Sequence, residues 1–195
     1  MQTQVCRNDP TQKGRYIKII LTLLSTNNTS VIYECANTLV ALSSAPTAIK
    51  AAANCYCQLL VSQSDNNVKL IVLDRLAELK DAHRYVMQEM VMDILRAVSA
   101  PNPDIRKKTL DIVLDLVTSR NIDEVVAALK KEITKSQTDT SSGDAGEYRQ
   151  MLVQAVHRCA VRFPDVAGAV VNLLMDFLGD ANTATAFDVA MFVRE

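Results

Sequence analysis

The sequence contains no tryptophan, only 5 glycines and 5 prolines, and only 2 histidines among its 195 residues. Few turn-forming residues, beside abundant alanine, leucine and valine, favour long α-helices joined by short connections. Charge of one sign is also lacking, because 21 lysines and arginines face 22 aspartates and glutamates, for a net charge of −1. A dedicated nucleic-acid-binding protein normally carries a basic excess. We therefore expect an all-α protein with no nucleic-acid partner.

The five cysteines are an odd number and show no spacing typical of a disulfide framework. Cys55 and Cys57 are separated by one residue, so on a helix their side chains point in different directions and cannot form a local metal clamp. The simpler interpretation is that cysteines serve as small core residues in a reducing compartment. We expect no metal and no cofactor.

Long hydrophobic runs are missing as well, and Met1 is not followed by the pattern of a signal peptide. Residues 27–30 (NNTS) match glycosylation sequons, but they are also a typical polar turn at a helix start. The chain is therefore expected to be soluble and intracellular.

Two stretches of the sequence nearly repeat each other: NNVKLIVLDRL at 66–76 and NPDIRKKTLDIVLDL at 102–116. Val68 and Ile105 are 37 residues apart, and another 37 residues back lies Val31. A fixed period in this range is typical of stacked helical repeats. We predict five helix pairs of the HEAT/armadillo type, with first helices near 14–25, 47–62, 82–99, 121–135 and 165–179, and second helices near 30–43, 67–79, 103–119, 147–162 and 183–195.

The second helices share an apolar face that a single pair could not bury, whereas neighbouring pairs stacked in series could. It is formed by Val31, Val68, Ile105 and Tyr148; by Ala36, Leu73, Leu110 and Val153; and by Leu39, Leu76, Val113 and Val156.

The spacing changes once, since Tyr148 follows Ile105 by 43 residues. The extra residues fall in a polar stretch, and we predict a mobile inserted loop at about 136–146 rather than a domain linker, because the apolar face resumes after it. The predicted organisation is a flexible segment at 1–13 followed by a solenoid over 14–195. The apolar ending AMFVRE predicts a piece of a longer solenoid.

Catalytic chemistry finds little support in the sequence. His157 and Cys159 are two residues apart, so on a helix they diverge and form no dyad, and His83 is best placed at a helix start as an exposed or capping residue. No phosphate-binding loop, dinucleotide-binding, zinc-protease or serine-hydrolase motif occurs. No catalytic residues are predicted, and we expect that the chain is not an enzyme.

Two groups of basic residues form a candidate interaction patch, namely Arg106, Lys107 and Lys108 near one predicted helix start, and Lys130 and Lys131 near a helix end. Basic residues at a helix start oppose the helix dipole, which suggests a partner or a lipid phosphate. The alternative is a solvated helix face.

A further column of basic residues is formed by Lys69, Arg106 and Arg149, which share one repeat position. We predict a structural ladder in which they hydrogen-bond turn residues such as Asp65 and Asn102.

Four stretches carry a resemblance to a known family: SSAPTAIKAAANCYCQLL (43–60), SDNNVKLIVLDRLAELK (64–80), VMDILRAVSAPNPDIRKKTLDIVLDLVTSRNIDEVVAALKKEI (91–133) and YRQMLVQAVHRCAVRFPDVAG (148–168). Together they resemble the coatomer β-subunit family, within its N-terminal trunk, which is related to the large adaptin chains of clathrin adaptors. The resemblance implies a non-enzymatic scaffold of the COPI vesicle coat, acting in Golgi-to-ER and intra-Golgi transport.

The resemblance also implies partners: other coatomer subunits, δ especially and also γ and ζ, and an Arf-type small GTPase that recruits the complex to membranes. It implies a cytoplasmic protein found at Golgi membranes and COPI-coated vesicles. Two alternatives remain open. One is another HEAT/armadillo scaffold, such as a nuclear-transport receptor or a phosphatase regulatory subunit, although the absence of tryptophan counts against an armadillo receptor. The other is an all-α enzyme.

Overall fold

The computed structural model describes residues 10–138 and 145–175. Within these two ranges the chain forms α-helices, 3₁₀ helices and turns, and no β-strand. The predicted all-α class with a HEAT/armadillo-like helical repeat is confirmed. The α-helices are α1 (Pro10–Leu23), α2 (Thr29–Leu42), α3 (Pro46–Ser62), α4 (Asn66–Ala82), α5 (Arg84–Met87), α6 (Val91–Leu95), α7 (Pro103–Leu116), α8 (Ile122–Thr138), α9 (Ala145–Arg162) and α10 (Ala167–Met175).

The chain divides into two compact units, with the boundary between Ala97 and Val98. In the first unit, α2 packs against α1 and α3, and α3 packs against α4. In the second unit, α9 packs against α7, α8 and α10. No helix of the described ranges has the length and apolar character needed to cross a membrane.

The helix starts follow the capping signals of the sequence. Oδ1 of Asn28 accepts hydrogen bonds from the backbone N–H groups of Ser30 and Val31, at 3.0 and 3.2 Å, so the sequon-like stretch begins α2. Asn102 caps α7 in the same way. Pro46 and Pro103 occupy the first turns of α3 and α7, where a missing N–H leaves no bond unmade.

The apolar face shared by the second helices is confirmed. Of its twelve residues only Val31 and Val68 are half-buried, and the other ten are buried. Leu39, Leu76 and Val113 at the third shared position are 0% exposed. Each fully buried side chain of this kind contributes about 1.5–3 kcal/mol relative to exposure. The period in the sequence therefore arises because each repeat buries apolar residues at the same positions.

The predicted continuous helix at 82–99 is wrong. The chain here alternates between α5, a 3₁₀ turn at Gln88–Met90, α6 and a second 3₁₀ turn at Arg96–Ser99. The buried residues Met87, Met90, Val91, Ile94 and Leu95 still recur at helical spacing. The apolar pattern therefore predicted the buried residues correctly. It could not predict the 3₁₀ turns, because this segment contains no glycine or proline to mark a break in the helix.

The predicted ends of the solenoid and its loop also change. α1 begins at Pro10, so 10–13 are helical, and 1–9 lie outside the described residues. Residues 136–138 belong to α8 and 145–146 to α9, which leaves 139–144 of the predicted loop outside the described residues. The helix predicted at 183–195, with the apolar ending, lies outside them too.

Candidate interaction surface

Arg106 and Tyr148 form a stacked pair in the second unit. The Arg106 guanidinium carbon lies 3.8 Å from the centroid of the Tyr148 ring, and Nε of Arg106 donates a hydrogen bond to the Ala100 carbonyl at 2.5 Å. The Tyr148 hydroxyl donates to the Val98 carbonyl at 3.1 Å and lies 3.3 Å from Oε2 of Glu132. Burial, then the Glu132 carboxylate, raises the pKa of Tyr148. The pair holds two carbonyls of the segment that leads into α7.

The predicted ladder of Lys69, Arg106 and Arg149 has a different chemistry at its central member. The Asn102 side chain bonds the N–H groups at the start of α7, and Arg106 instead bonds the Ala100 carbonyl and stacks on a ring. Asp65 is likewise used as a cap, accepting from the N–H of Asn67 at 2.8 Å. Lys69 and Arg149 are half-buried. The ladder as a set stays a prediction.

The predicted basic patch is divided between elements with different roles. Arg106 belongs to the stacked pair, Lys107 is exposed in a groove beside α9, and Lys108 is half-buried. Lys130 and Lys131 are exposed on α8, whose other side is buried through Val125, Val126, Leu129 and Ile133. The exposed members of the predicted patch are therefore Lys107 on α7 and the lysine pair on α8.

An open groove of about 470 Å³ lies between α7 and α9, which are successive second helices. Lys107 and Glu147 line it near the helix starts, and Asp111 and Arg158 line it further along. Nη1 of Arg158 lies 3.7 Å from Oδ1 of Asp111, and the two side chains are 61% and 58% exposed. Such an exposed pair adds at most about 1 kcal/mol and can exchange for a partner's charges. We call this surface the α7/α9 groove.

Two further open grooves lie between α2 and α4 in the first unit; they share no lining residue, and we treat them as the polar and the apolar part of one surface. The polar part has a volume of about 440 Å³ and is lined by Asn37, Tyr56, Arg75 and Glu78 with small apolar neighbours. The apolar part has a volume of about 240 Å³. Its lining residues are Thr29, Ser30, Tyr33, Glu34, Leu59, Val68, Ile71 and Val72. We call the whole surface the α2/α4 groove.

Arg75 joins the two parts of this groove. Its Nε donates to the Tyr33 hydroxyl at 3.0 Å, and its Nη1 donates to both carboxylate oxygens of Glu78, at 2.9 and 2.7 Å. The Tyr56 hydroxyl donates to Oδ1 of Asn37 at 2.6 Å, and burial raises its pKa. Sequence reasoning missed this network, because Tyr33 and Arg75 are 42 residues apart and share no motif.

Three of the five cysteines lie in the core, as the sequence predicted. Cys55, Cys57 and Cys159 are buried and Cys35 is half-buried, while Cys6 lies outside the described residues. Burial raises the pKa of Cys57 to about 12 and of Cys159 to about 11. Within 10–138 and 145–175, no three histidine, cysteine, aspartate or glutamate residues come together as metal ligands would.

The folded repeats and their open grooves define a helical-repeat protein, and comparison with known families names its class. The match to the adaptin N terminal region covers residues 1–195, so the chain belongs to the adaptin N-terminal family.

Curated relatives narrow the resemblance. The chain is 66% identical over 191 residues to coatomer subunit beta-2 of Arabidopsis thaliana. It is 55% identical over 194 residues to coatomer subunit beta of Rattus norvegicus and 52% identical over 193 residues to that of Dictyostelium discoideum. These alignments cover 98% of this chain, but only 20–21% of each relative. The chain thus spans about a fifth of the length of these relatives, and the resemblance predicted from the sequence is confirmed.

Proposed function

We propose that the chain is a non-enzymatic scaffold segment of a COPI coat β subunit, acting in Golgi-to-ER and intra-Golgi transport. The observation that carries this proposal is the identity of 52–66% to coatomer β subunits over 98% of the chain. Identity at this level over nearly the whole chain supports the same packing and the same kind of surface.

The described surfaces suit a scaffold. Both grooves are open, and they are lined by apolar side chains interspersed with charges of both signs. Stacked helical repeats bind partners over extended surfaces of this kind without needing a deep cavity. Partners that dock on such surfaces gain specificity from the pattern of charges.

The proposed partners are the other coatomer subunits, δ especially and also γ and ζ, and an Arf-type small GTPase. Membrane association is then peripheral and occurs through the complex, at Golgi membranes and COPI-coated vesicles, with the protein otherwise cytoplasmic. The exposed lysines Lys107, Lys130 and Lys131 are the proposed basic contacts. The stacked Arg106 has a structural role in this proposal.

A pull-down tests the proposal. The tagged chain is incubated with each purified coatomer subunit and with an Arf-type GTPase loaded with GDP or with a non-hydrolysable GTP analogue. We expect retention of δ and, in the GTP form only, of the GTPase. Retention of none of these proteins would refute the proposed role.

A charge-reversal variant then tests the basic contacts. Changing Lys107, Lys130 and Lys131 together to Glu should weaken retention of at least one partner. The matched control is Lys18→Glu, which reverses an exposed charge on α1 of the other unit. Equal retention by the triple variant and the control would exclude the lysines as contacts.

A further inference from the structure

The apolar part of the α2/α4 groove has the features of a recognition site for one kind of partner. We propose that it binds a short amphipathic helix of another protein, with lysine or arginine beside its apolar face. The inference rests on the scaffold role proposed above and assigns a partner chemistry to one groove.

The floor and rim of this part supply the apolar contact. Leu59 and Val72 are buried beneath the groove, and Val68 is half-buried at its wall. Ile71 lines the same space and is 49% exposed, a large aliphatic side chain left half in water. A partner's aliphatic side chain placed here would remove Ile71 from water and fill the groove, which is the usual source of affinity at the centre of an interface.

A helical partner segment suits the polar groups around the groove. The Thr29 hydroxyl accepts a hydrogen bond from Nε2 of Gln63 at 3.1 Å, and the Tyr33 hydroxyl accepts from Arg75. An extended segment would bring unpaired backbone groups that need partners on the groove wall. A helix satisfies its own backbone hydrogen bonds, so it places few such demands on these walls.

The length of the groove sets the length of the helix. The residues that line the two parts extend along α2 from Thr29 to Ala41 and along α4 from Val68 to Ala82. At a rise of about 1.5 Å per residue this is about 20 Å, which matches a helix of about 14 residues. Apolar side chains at positions i, i+3 or i+4, and i+7 of that helix would face the floor.

The charges beside the apolar part select a basic partner. Arg75 bonds both oxygens of Glu78, so these two charges offset each other. Glu34 is exposed on the wall of the groove, and its carboxylate takes part in no ion pair with the residues that the structure describes. A lysine or arginine on the partner helix gains a charge partner at Glu34, whereas an acidic side chain there is repelled.

Two synthetic helices of about 14 residues test the inference by fluorescence anisotropy with the 195-residue chain. They have identical leucines at i, i+3 and i+7, and carry either lysines or glutamates beside the leucine face. We expect the lysine peptide to bind at least about fivefold more tightly than the glutamate peptide, a ratio that an exposed ion pair supports. Equal affinities, or no binding of either peptide, would overturn the inference.

Two variants place the binding in the groove. Glu34→Lys should reverse the preference between the peptides. Ile71→Asp should weaken the binding of the lysine peptide at least about tenfold, because a central apolar contact is lost. The control is Val161→Asp, the same kind of change at a valine that is 65% exposed on α9 of the other unit. Circular dichroism and the melting temperature establish that each variant is folded.

The outcomes separate this inference from the scaffold role. Unchanged binding by Ile71→Asp, or an equal loss in Val161→Asp, would overturn the groove assignment while leaving any retention of coatomer subunits intact. A chain that binds the lysine peptide through Glu34 and Ile71 but retains no coatomer subunit would keep the binding site and refute the coat proposal.

Discussion

The guanidinium of Arg106 stacks on the ring of Tyr148, with Cζ 3.8 Å from the ring centroid, and so connects the first turns of α7 and α9. Both residues also bond carbonyl groups before α7, Arg106 that of Ala100 and Tyr148 that of Val98. Neither contact needs a second molecule. The sequence predicted Arg106 both as a binding contact and as a structural residue. In the structure it lies where it stabilises the fold.

Arg106→Ala should lower the free energy of unfolding by about 1–3 kcal/mol. The change removes a cation–π contact worth about 0.5–2 kcal/mol and a charged hydrogen bond worth about 1.5–3 kcal/mol, and the losses are not additive because water replaces part of each. Urea unfolding followed by circular dichroism measures the effect.

Lys107→Ala is the matched control for Arg106→Ala. This neighbour carries the same charge and is exposed in the α7/α9 groove, so its loss should change stability by no more than about 0.5 kcal/mol. Equal effects of the two substitutions would show that the stacked pair contributes nothing beyond a surface charge.

Asn28→Ala should destabilise the chain by about 1 kcal/mol, because two N–H groups at the start of α2 lose their acceptor. Asn27 is also exposed but lies one residue before the cap position. Asn27→Ala should therefore leave the melting temperature nearly unchanged. A larger loss in Asn27→Ala than in Asn28→Ala would contradict the assigned cap.

Leu76→Ala should lower the free energy of unfolding by about 2–5 kcal/mol, because it opens a cavity in the face that the repeats share. Leu76 is 0% exposed, whereas Ile71 on the same helix is 49% exposed. Ile71→Ala should therefore cost less than about 1 kcal/mol. Chemical denaturation measures the free energy of unfolding of both variants. Similar losses in the two would show that the apolar face shared by the second helices is not the packing surface.

The buried cysteines should resist alkylation. At about pH 8 the thiolate is the reactive form, and the raised pKa values of Cys57 and Cys159, about 12 and about 11, keep it scarce. Residue-resolved mass spectrometry after iodoacetamide treatment should find these two modified at least about tenfold more slowly than half-buried Cys35. Faster modification of Cys57 than of Cys35 would contradict the described packing.

The same shifts give a direction for stability against pH. The folded chain holds the Cys57 proton more tightly than the unfolded chain, whose thiol has the ordinary pKa of 9.0. Unfolding therefore releases a proton at high pH, and the contribution of this thiol is complete below about pH 9 and falls as the pH rises towards 12. A Cys57→Ala variant should show a weaker loss of stability over this window.

Most of the fold that could be predicted from the sequence was predicted from its periodicity. The 37-residue recurrence of Val31, Val68 and Ile105 located three second helices, and the buried residues at the related positions followed from one amphipathic face. Polar residues before the helices, such as Asn28 and Asn102, marked their starts. These signals are local or regular, so one sequence suffices to detect them.

Contacts between distant side chains could not be predicted in the same way. The bond between Arg75 and Tyr33 joins residues on two helices, and its existence depends on how those helices pack. Arg106 stacks on Tyr148 rather than bonding Asn102, because the Asn102 side chain is used by the N–H groups that begin α7. The choice among several possible partners is made by tertiary packing, which leaves no pattern in the sequence.

The central claim is that this chain is a segment of a coatomer β-subunit scaffold, and a chimera tests it most directly. The chain replaces the aligned segment of the rat coatomer β subunit, and the isolated complex is measured for its content of the other coatomer subunits and for coat formation on liposomes with an Arf-type GTPase. We predict that the chimera enters the complex at the same stoichiometry as the parent subunit and forms coats. A folded chimera that is excluded from the complex would contradict the claim.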